Sequence, residues 1–166
     1  METPLIIIGS APCAMADLAA LPLISCDHML VGLDSVDIWL GRAEYLITYH
    51  PEDIPECLER RRSVGGNTDF IQVISHIAAP GVTMVQPHER PSGSSSLLGV
   101  FAALGMGYER VVLAGCPLTD PEYVIKNNYR RGWQYHIDRY AGKVRSMSGW
   151  TKDFLGAPTE AWLHEN

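Results

Sequence analysis

The sequence predicts an α/β protein: a Rossmann-like three-layer sandwich with a mainly parallel sheet and helices on both faces. Three observations carry this. Leu5-Ile6-Ile7-Ile8 is an unbroken apolar run closed by Gly9, the pattern of a strand buried on both faces. Residues 82–85, 92–104 and 110–114 read as strand, helix and strand, an order that implies a right-handed crossover between parallel strands. The chain has 166 residues, 46% of them hydrophobic, which suits one domain with a substantial core.

The elements follow in order. After strand 5–8, Gly9-Ser10-Ala11-Pro12 forms a turn and residues 14–20 a short helix that stops near Pro22. Residues 28–33 read as a second strand, and Asp34-Ser35 can cap a short helix over 36–40. Residues 45–48 are a third strand, ending at Tyr49-His50-Pro51. Residues 54–62 are helical and stop before Gly65-Gly66, and 70–74 and 82–85 are strands separated by the Pro80-Gly81 turn. Ser92-Gly93-Ser94 opens a helix with apolar positions at Leu97, Leu98, Phe101, Ala102 and Leu104, closed by Gly105 and Gly107. Residues 122–141 are polar and aromatic and read as a helix over the sheet's end. We expect a single domain over 1–166. Its aromatic C-terminal segment (about 142–166, with Trp150, Phe154 and Trp162) is expected as a lid or an oligomer arm, making a homo-oligomer an expected assembly.

Composition narrows the function classes. The net charge is −6, and no basic face emerges beyond Arg60-Arg61-Arg62 and Arg130-Arg131, which argues against nucleic acid as a partner. The apolar runs are too short to span a bilayer, and the start of the chain lacks a secretory signal. The four cysteines, Cys13, Cys26, Cys57 and Cys116, form no C-x-x-C pair, which suits a reducing, cytoplasmic setting. No tight metal-binding spacing is present among the histidines, so no metal ligand set is assigned.

In an open parallel sheet, ligands bind beyond the carboxyl ends of the strands. Four loops fall there: 9–13, Asp34-Ser35, 49–51 and 91–94. The first is either an ordinary strand-to-helix turn or a close backbone approach to a ligand, and it is not a G-x-G-x-x-G loop. The Ser92 to Ser96 run carries more hydroxyls than a helix cap requires, which favours an anion at the helix start, with Arg90 available to a phosphate. His50 stands at a strand's carboxyl end. His136 follows the last clear strand, where a general base could face a ligand. Cys13 and Cys116 read as small packing residues.

Three segments together resemble the bacterial CMP-sialic-acid-dependent sialyltransferases with a Rossmann-like fold, and the related MptE-like pterin diphosphokinase and glycosyltransferase-like domains. They are Ile6 to Cys13, similar to an apolar strand followed by G-x-G-P-S; Tyr49-His50-Pro51, similar to Tyr-Asn-Pro; and Ser92-Gly93 followed by a helix, Ala103-Leu104-Gly105-Met106-Gly107-Tyr108 and a strand closing on Gly115. The resemblance covers about residues 5–118. It implies nucleotide contacts at Gly9, Ser10, Ser92 and Gly93 and a donor contact at Asp34; with the strand-end loops and the serine-rich helix start, the expected nucleotide-binding set is Gly9, Ser10, Ala11, Pro12, Asp34, His50, Arg90, Ser92, Gly93, Ser94 and Gly115. The resemblance further implies phosphate contacts from Tyr123 and Tyr129, and His136 as general base. The chain departs from the pattern where Ala11 replaces Gly, His50 replaces Asn and Cys116-Pro117 replaces Ile-Asp.

The leading expectation is therefore a glycosyltransferase-like protein binding a nucleotide or nucleotide-sugar, such as a CMP-sugar, with no cofactor required. Two alternatives stand beside it. One is a non-catalytic nucleotide-binding module of a larger assembly. The other is a diphosphokinase, which would need Mg²⁺ and a carboxylate pair, for which Asp34 with Asp120 is the candidate.

Overall fold

The computed structural model describes residues 3–22, 24–120 and 127–164. Seven strands form one sheet: β1 (Leu5–Ile8), β2 (Asp27–Val31), β3 (Tyr45–Thr48), β4 (Gln72–Ser75), β5 (Met84–Val85), β6 (Val111–Ala114) and β7 (Val144–Ser146). Their order is β5-β4-β3-β2-β1-β6-β7. Every pairing is parallel; Ile7, for example, lies opposite Met29 on β2 and Leu113 on β6. The chain thus steps outward from β1 to β5, then crosses back to place β6 on the other side of β1. The carboxyl ends of β1 and β6 therefore flank a topological switch point.

The apolar runs explain the layers. Leu5 and Ile7 enter one core with the helix α3 (Ser94–Gly105), while Ile6 and Ile8 enter a second core on the opposite face. The helix α4 (Tyr129–Tyr135) and the helix α5 (Gly149–Leu155) join α3 on the first face. On the second face lie α1 (Ala14–Ala20), α2 (Ile54–Ser63) and α6 (Glu160–His164). Burying aliphatic side chains of this size stabilises the fold by about 1.5–3 kcal/mol each. The absence of a side chain at Gly99 lets α3 settle onto the sheet: a Cβ there would lie 3.2 Å from Met29 Sδ and 3.3 Å from Ile7 Cδ1. In α2, Pro55 and Glu56 occupy the first turn and Arg60 to Arg62 the last, which complements the helix dipole.

Several expectations change in detail. The short helix expected over 36–40 is replaced by a 3₁₀ turn at Leu33–Ser35 followed by irregular chain. The buried Arg61 explains why: its guanidinium donates to the carbonyls of Val36, Trp39, Gly41 and Asn67, so these oxygens are not needed within a helix. Helix α3 begins at Ser94, two residues after the expected start. The polar aromatic stretch contributes α4 and a 3₁₀ turn at Ile137–Arg139, with residues 121–126 outside the described set. The C-terminal segment, expected as a lid or an oligomer arm, supplies β7, α5 and α6. Trp162 and Leu163 are buried in the second core, and Trp162 Nε1 donates to Gly142 O at 2.9 Å. None of the helices among the described residues is long and apolar enough to cross a membrane.

Candidate functional site

A cavity of about 690 Å³ opens at the carboxyl ends of the central strands, a size suited to a nucleotide-sized ligand. Its floor lies where β1 and β6 end. Gly9 N donates to Ala114 O at 2.8 Å, and Ala11 N to Gly115 O at 3.2 Å. A Cβ on Gly9 would fall 2.4 Å from Gly115 O, so glycine is required here by the neighbouring strand itself. Beneath the loop, buried Asp17 accepts from Gly115 N at 2.8 Å and from Ser148 Oγ at 2.7 Å. Ser148 Oγ also lies 3.2 Å from Cys13 Sγ. Burial pushes the Cys13 thiol up, and pushes Cys116 up to about 12, so both are protonated at neutral pH. Cys116 lines the cavity, whereas Cys13 does not.

One wall is the start of α3, where Ser94, Ser95 and Ser96 line the cavity. Ser94 holds a φ of 76°, the left-handed region that side chains disfavour, and its Oγ lies 2.7 Å from Ser96 Oγ. The α4 region braces the loop that leads into this turn. Fully buried Trp133 donates from Nε1 to Gly93 O at 2.7 Å, and His136 Nε2 lies 3.2 Å from Pro91 O. Gly132 packs so closely that a Cβ would sit 2.2 Å from Ser92 O.

The charged part of the lining is acidic. Asp34, Asp53 and Asp120 line the cavity with His50 and Thr48, and no Lys or Arg lines it among the described residues. Asp34 is 81% exposed, with Arg60 Nη1 3.6 Å behind it. Arg60 makes its shorter ion pair with Asp37, at 2.6 Å. His50 Nδ1 lies 3.2 Å from Glu52 Oε1. Tyr49 joins His76 and His88 in a cluster of rings; its hydroxyl is 3.0 Å from His88 Nδ1. Burial, with Arg90 and His76 nearby, holds His88 below its ordinary pKa.

Of the residues singled out in the sequence, Gly9, Ser10, Ala11 and Pro12 line the cavity, as do Asp34, His50, Ser94 and Gly115. Ser92 and Gly93 lie in the braced loop outside the lining, and Arg90 is exposed beside them. His136 is buried, bonded to Pro91 O and packed edge-on against Phe101, and it does not line the cavity. Tyr129 is half-buried against the first core, away from the lining. Tyr123 lies outside the described residues. Asp34 and Asp120, the carboxylate pair of the diphosphokinase alternative, share the cavity. Among the described residues no group of three or more His, Cys, Asp or Glu is arranged to hold a metal ion. The sequence reading included Ser96 in the serine run but missed Thr48 and Asp53 as lining residues. Thr48 ends a strand and Asp53 begins a helix, so their position at a carboxyl end was the signal available.

No family model and no curated protein matches the chain. Among solved structures it is similar to the sialyltransferase CstII from Campylobacter jejuni in complex with a substrate analogue, cytidine-5'-monophosphate. The TM-score is 0.61 at 13% identity, covering 99% of this chain and 88% of that one. The same enzyme in complex with CMP-3FNeuAc gives a TM-score of 0.60 at 11% identity, with the same coverage. The fold is therefore a Rossmann-like α/β fold of the kind seen in this glycosyltransferase. The resemblance to the sialyltransferase fold is a distant one.

Proposed function

We propose that the chain binds a nucleotide or nucleotide-sugar in this cavity and belongs functionally with the glycosyltransferases. The observation that supports this most is the meeting, at the switch point of the sheet, of the Gly9 to Pro12 loop with the hydroxyl-rich start of α3. Backbone amides and serine hydroxyls at the start of a twelve-residue helix favour an anion such as a phosphate without a lysine or arginine. Asp34, just beyond β2, stands where an acidic side chain accepts from ribose hydroxyls in doubly wound folds. The solved structures of similar fold hold CMP and a CMP-sugar analogue, which agrees with this class of ligand.

The test is a thermal-shift screen of the purified protein against CMP, UDP, GDP and their sugar conjugates, with and without Mg²⁺. A ligand that prefers the native state raises the melting temperature by mass action. The expected result is a selective rise with one nucleotide and its sugar conjugate, reduced in Asp34→Ala. A flat response to every nucleotide would contradict the reading.

A further inference from the structure

We propose that His50 and Glu52 form an imidazole–carboxylate dyad that accepts the proton of the hydroxyl or water attacking a bound nucleotide-sugar. This rests on the nucleotide-sugar reading above and assigns that site its base. Three observations carry it. First, His50 lines the cavity directly at the carboxyl end of β3, and its backbone N donates to Thr48 Oγ1 at 2.9 Å, which fixes the chain at this corner. Second, Glu52 lies in the 3₁₀ turn Pro51–Asp53 that starts next to His50, with Oε1 3.2 Å from His50 Nδ1. Glu52's own backbone amide and the His50 ring hold its carboxyl below the usual range, so it is anionic at neutral pH. An anionic carboxylate only accepts hydrogen bonds, so in the neutral ring this contact places the proton on Nδ1 and the lone pair on Nε2. Third, the other imidazoles near this end are placed elsewhere. His136 Nε2 is within bonding distance of Pro91 O, and its ring packs between Phe101 and Tyr135. His76 and His88 pack around Tyr49, outside the cavity lining.

In the step itself, the attacking oxygen forms a bond to the anomeric carbon while its proton passes to His50 Nε2. The bond from that carbon to the phosphate oxygen breaks, and the nucleotide leaves with the electron pair. The imidazolium then returns its proton to solvent, with Glu52 beside it to stabilise the charge. Asp34, Asp53 and Asp120 are the carboxylates that line the same cavity, and His76 acts on Glu52.

The experiment compares wild type, His50→Gln and Glu52→Gln, using the sugar conjugate selected by the thermal-shift screen. Calorimetry reads binding, and nucleotide release is followed by chromatography from pH 5 to pH 9. Wild type should release nucleotide at a rate that rises with pH, as catalysis by a general base requires. At saturating conjugate, His50→Gln should release nucleotide about 100-fold more slowly and lose that limb. Glu52→Gln should slow release about tenfold or more and displace the limb, because the ring loses the carboxylate that orients it and stabilises its charge. Release and a pH limb unchanged in His50→Gln would overturn the dyad while leaving the binding site intact. So would a wild type that binds the conjugate and never releases nucleotide. Failure of wild type to bind any conjugate would remove the nucleotide-sugar reading itself, and the dyad with it, and the calorimetric arm separates that outcome from the others.

Discussion

The two ends of the sheet use the same kinds of side chain for opposite purposes. At the amino ends of the strands, polar groups bond to one another and are closed off. Tyr108 donates to Asp27 at the start of β2, and its hydroxyl lies 2.9 Å from that of Tyr45 at the start of β3. Burial and the Asp27 carboxylate push the Tyr108 phenol well above its ordinary pKa. Arg61, fully buried, donates to four backbone carbonyls and to Asn67 Oδ1, and the same burial pulls its pKa down. At the carboxyl ends, Asp34, His50 and the serines of α3 face an open cavity. Buried polar atoms find partners at both ends, as Asp17 does beneath the Gly9 loop, but at the carboxyl end polar side chains also line a space available to a ligand.

The largest expected effect tests the closed end. Arg61→Ala removes the donors for four carbonyls and should lower stability by about 3 kcal/mol or more, read by denaturant unfolding. A loss below about 1 kcal/mol would mean that water replaces the guanidinium and that this end is less sealed than described. His28 comes next. Burial lowers its pKa from 6.5 to about 4, so between these values the unfolded chain binds the proton and the folded chain does not. Stability should therefore fall as pH drops through that window, by at most about 1.4 kcal/mol per pH unit, and His28→Phe should flatten that part of the curve. A curve unaltered by the substitution would contradict the burial. Tyr108→Phe leaves Asp27 without its phenol donor and should cost about 2 kcal/mol in the same unfolding measurement. At the open end the sign reverses. Ser94→Gly relieves the left-handed φ and should stabilise the fold by about 1 kcal/mol while weakening nucleotide binding. Destabilisation by this change would show that the Ser94–Ser96 contact outweighs the backbone strain.

The parallel sheet was legible because Leu5 to Ile8 and 111–114 are strands with apolar residues on both faces, which no amphipathic helix would present. The cavity's floor and its serine wall followed from where those strands and α3 begin and end. Other features were not legible for definite reasons. β7 is three residues long with Arg145 at its centre, too short for periodicity; the arginine bonds Leu155 O at 2.7 Å and lies over the Trp162 ring. Nothing in the Arg60-Arg61-Arg62 run singled out Arg61 as buried, because the carbonyls it satisfies lie 20 or more residues away, apart from Asn67. His136 stood in the right stretch of chain for a base, but the sequence carries no sign that its ring bonds Pro91 O, 45 residues earlier. Gly9 resembled a ligand-binding glycine, while the contact that demands it is with the backbone of Gly115.

The most direct test of the difference between the two ends is a titration of the protein with CMP, followed by amide NMR. The account predicts saturable shifts concentrated at 9–13, 31–34, 94–96 and 115–120, with the amides of Asp27, Tyr45 and Tyr108 unmoved. Shifts centred on that buried amino-end network, or no saturable shift with any nucleotide, would contradict it.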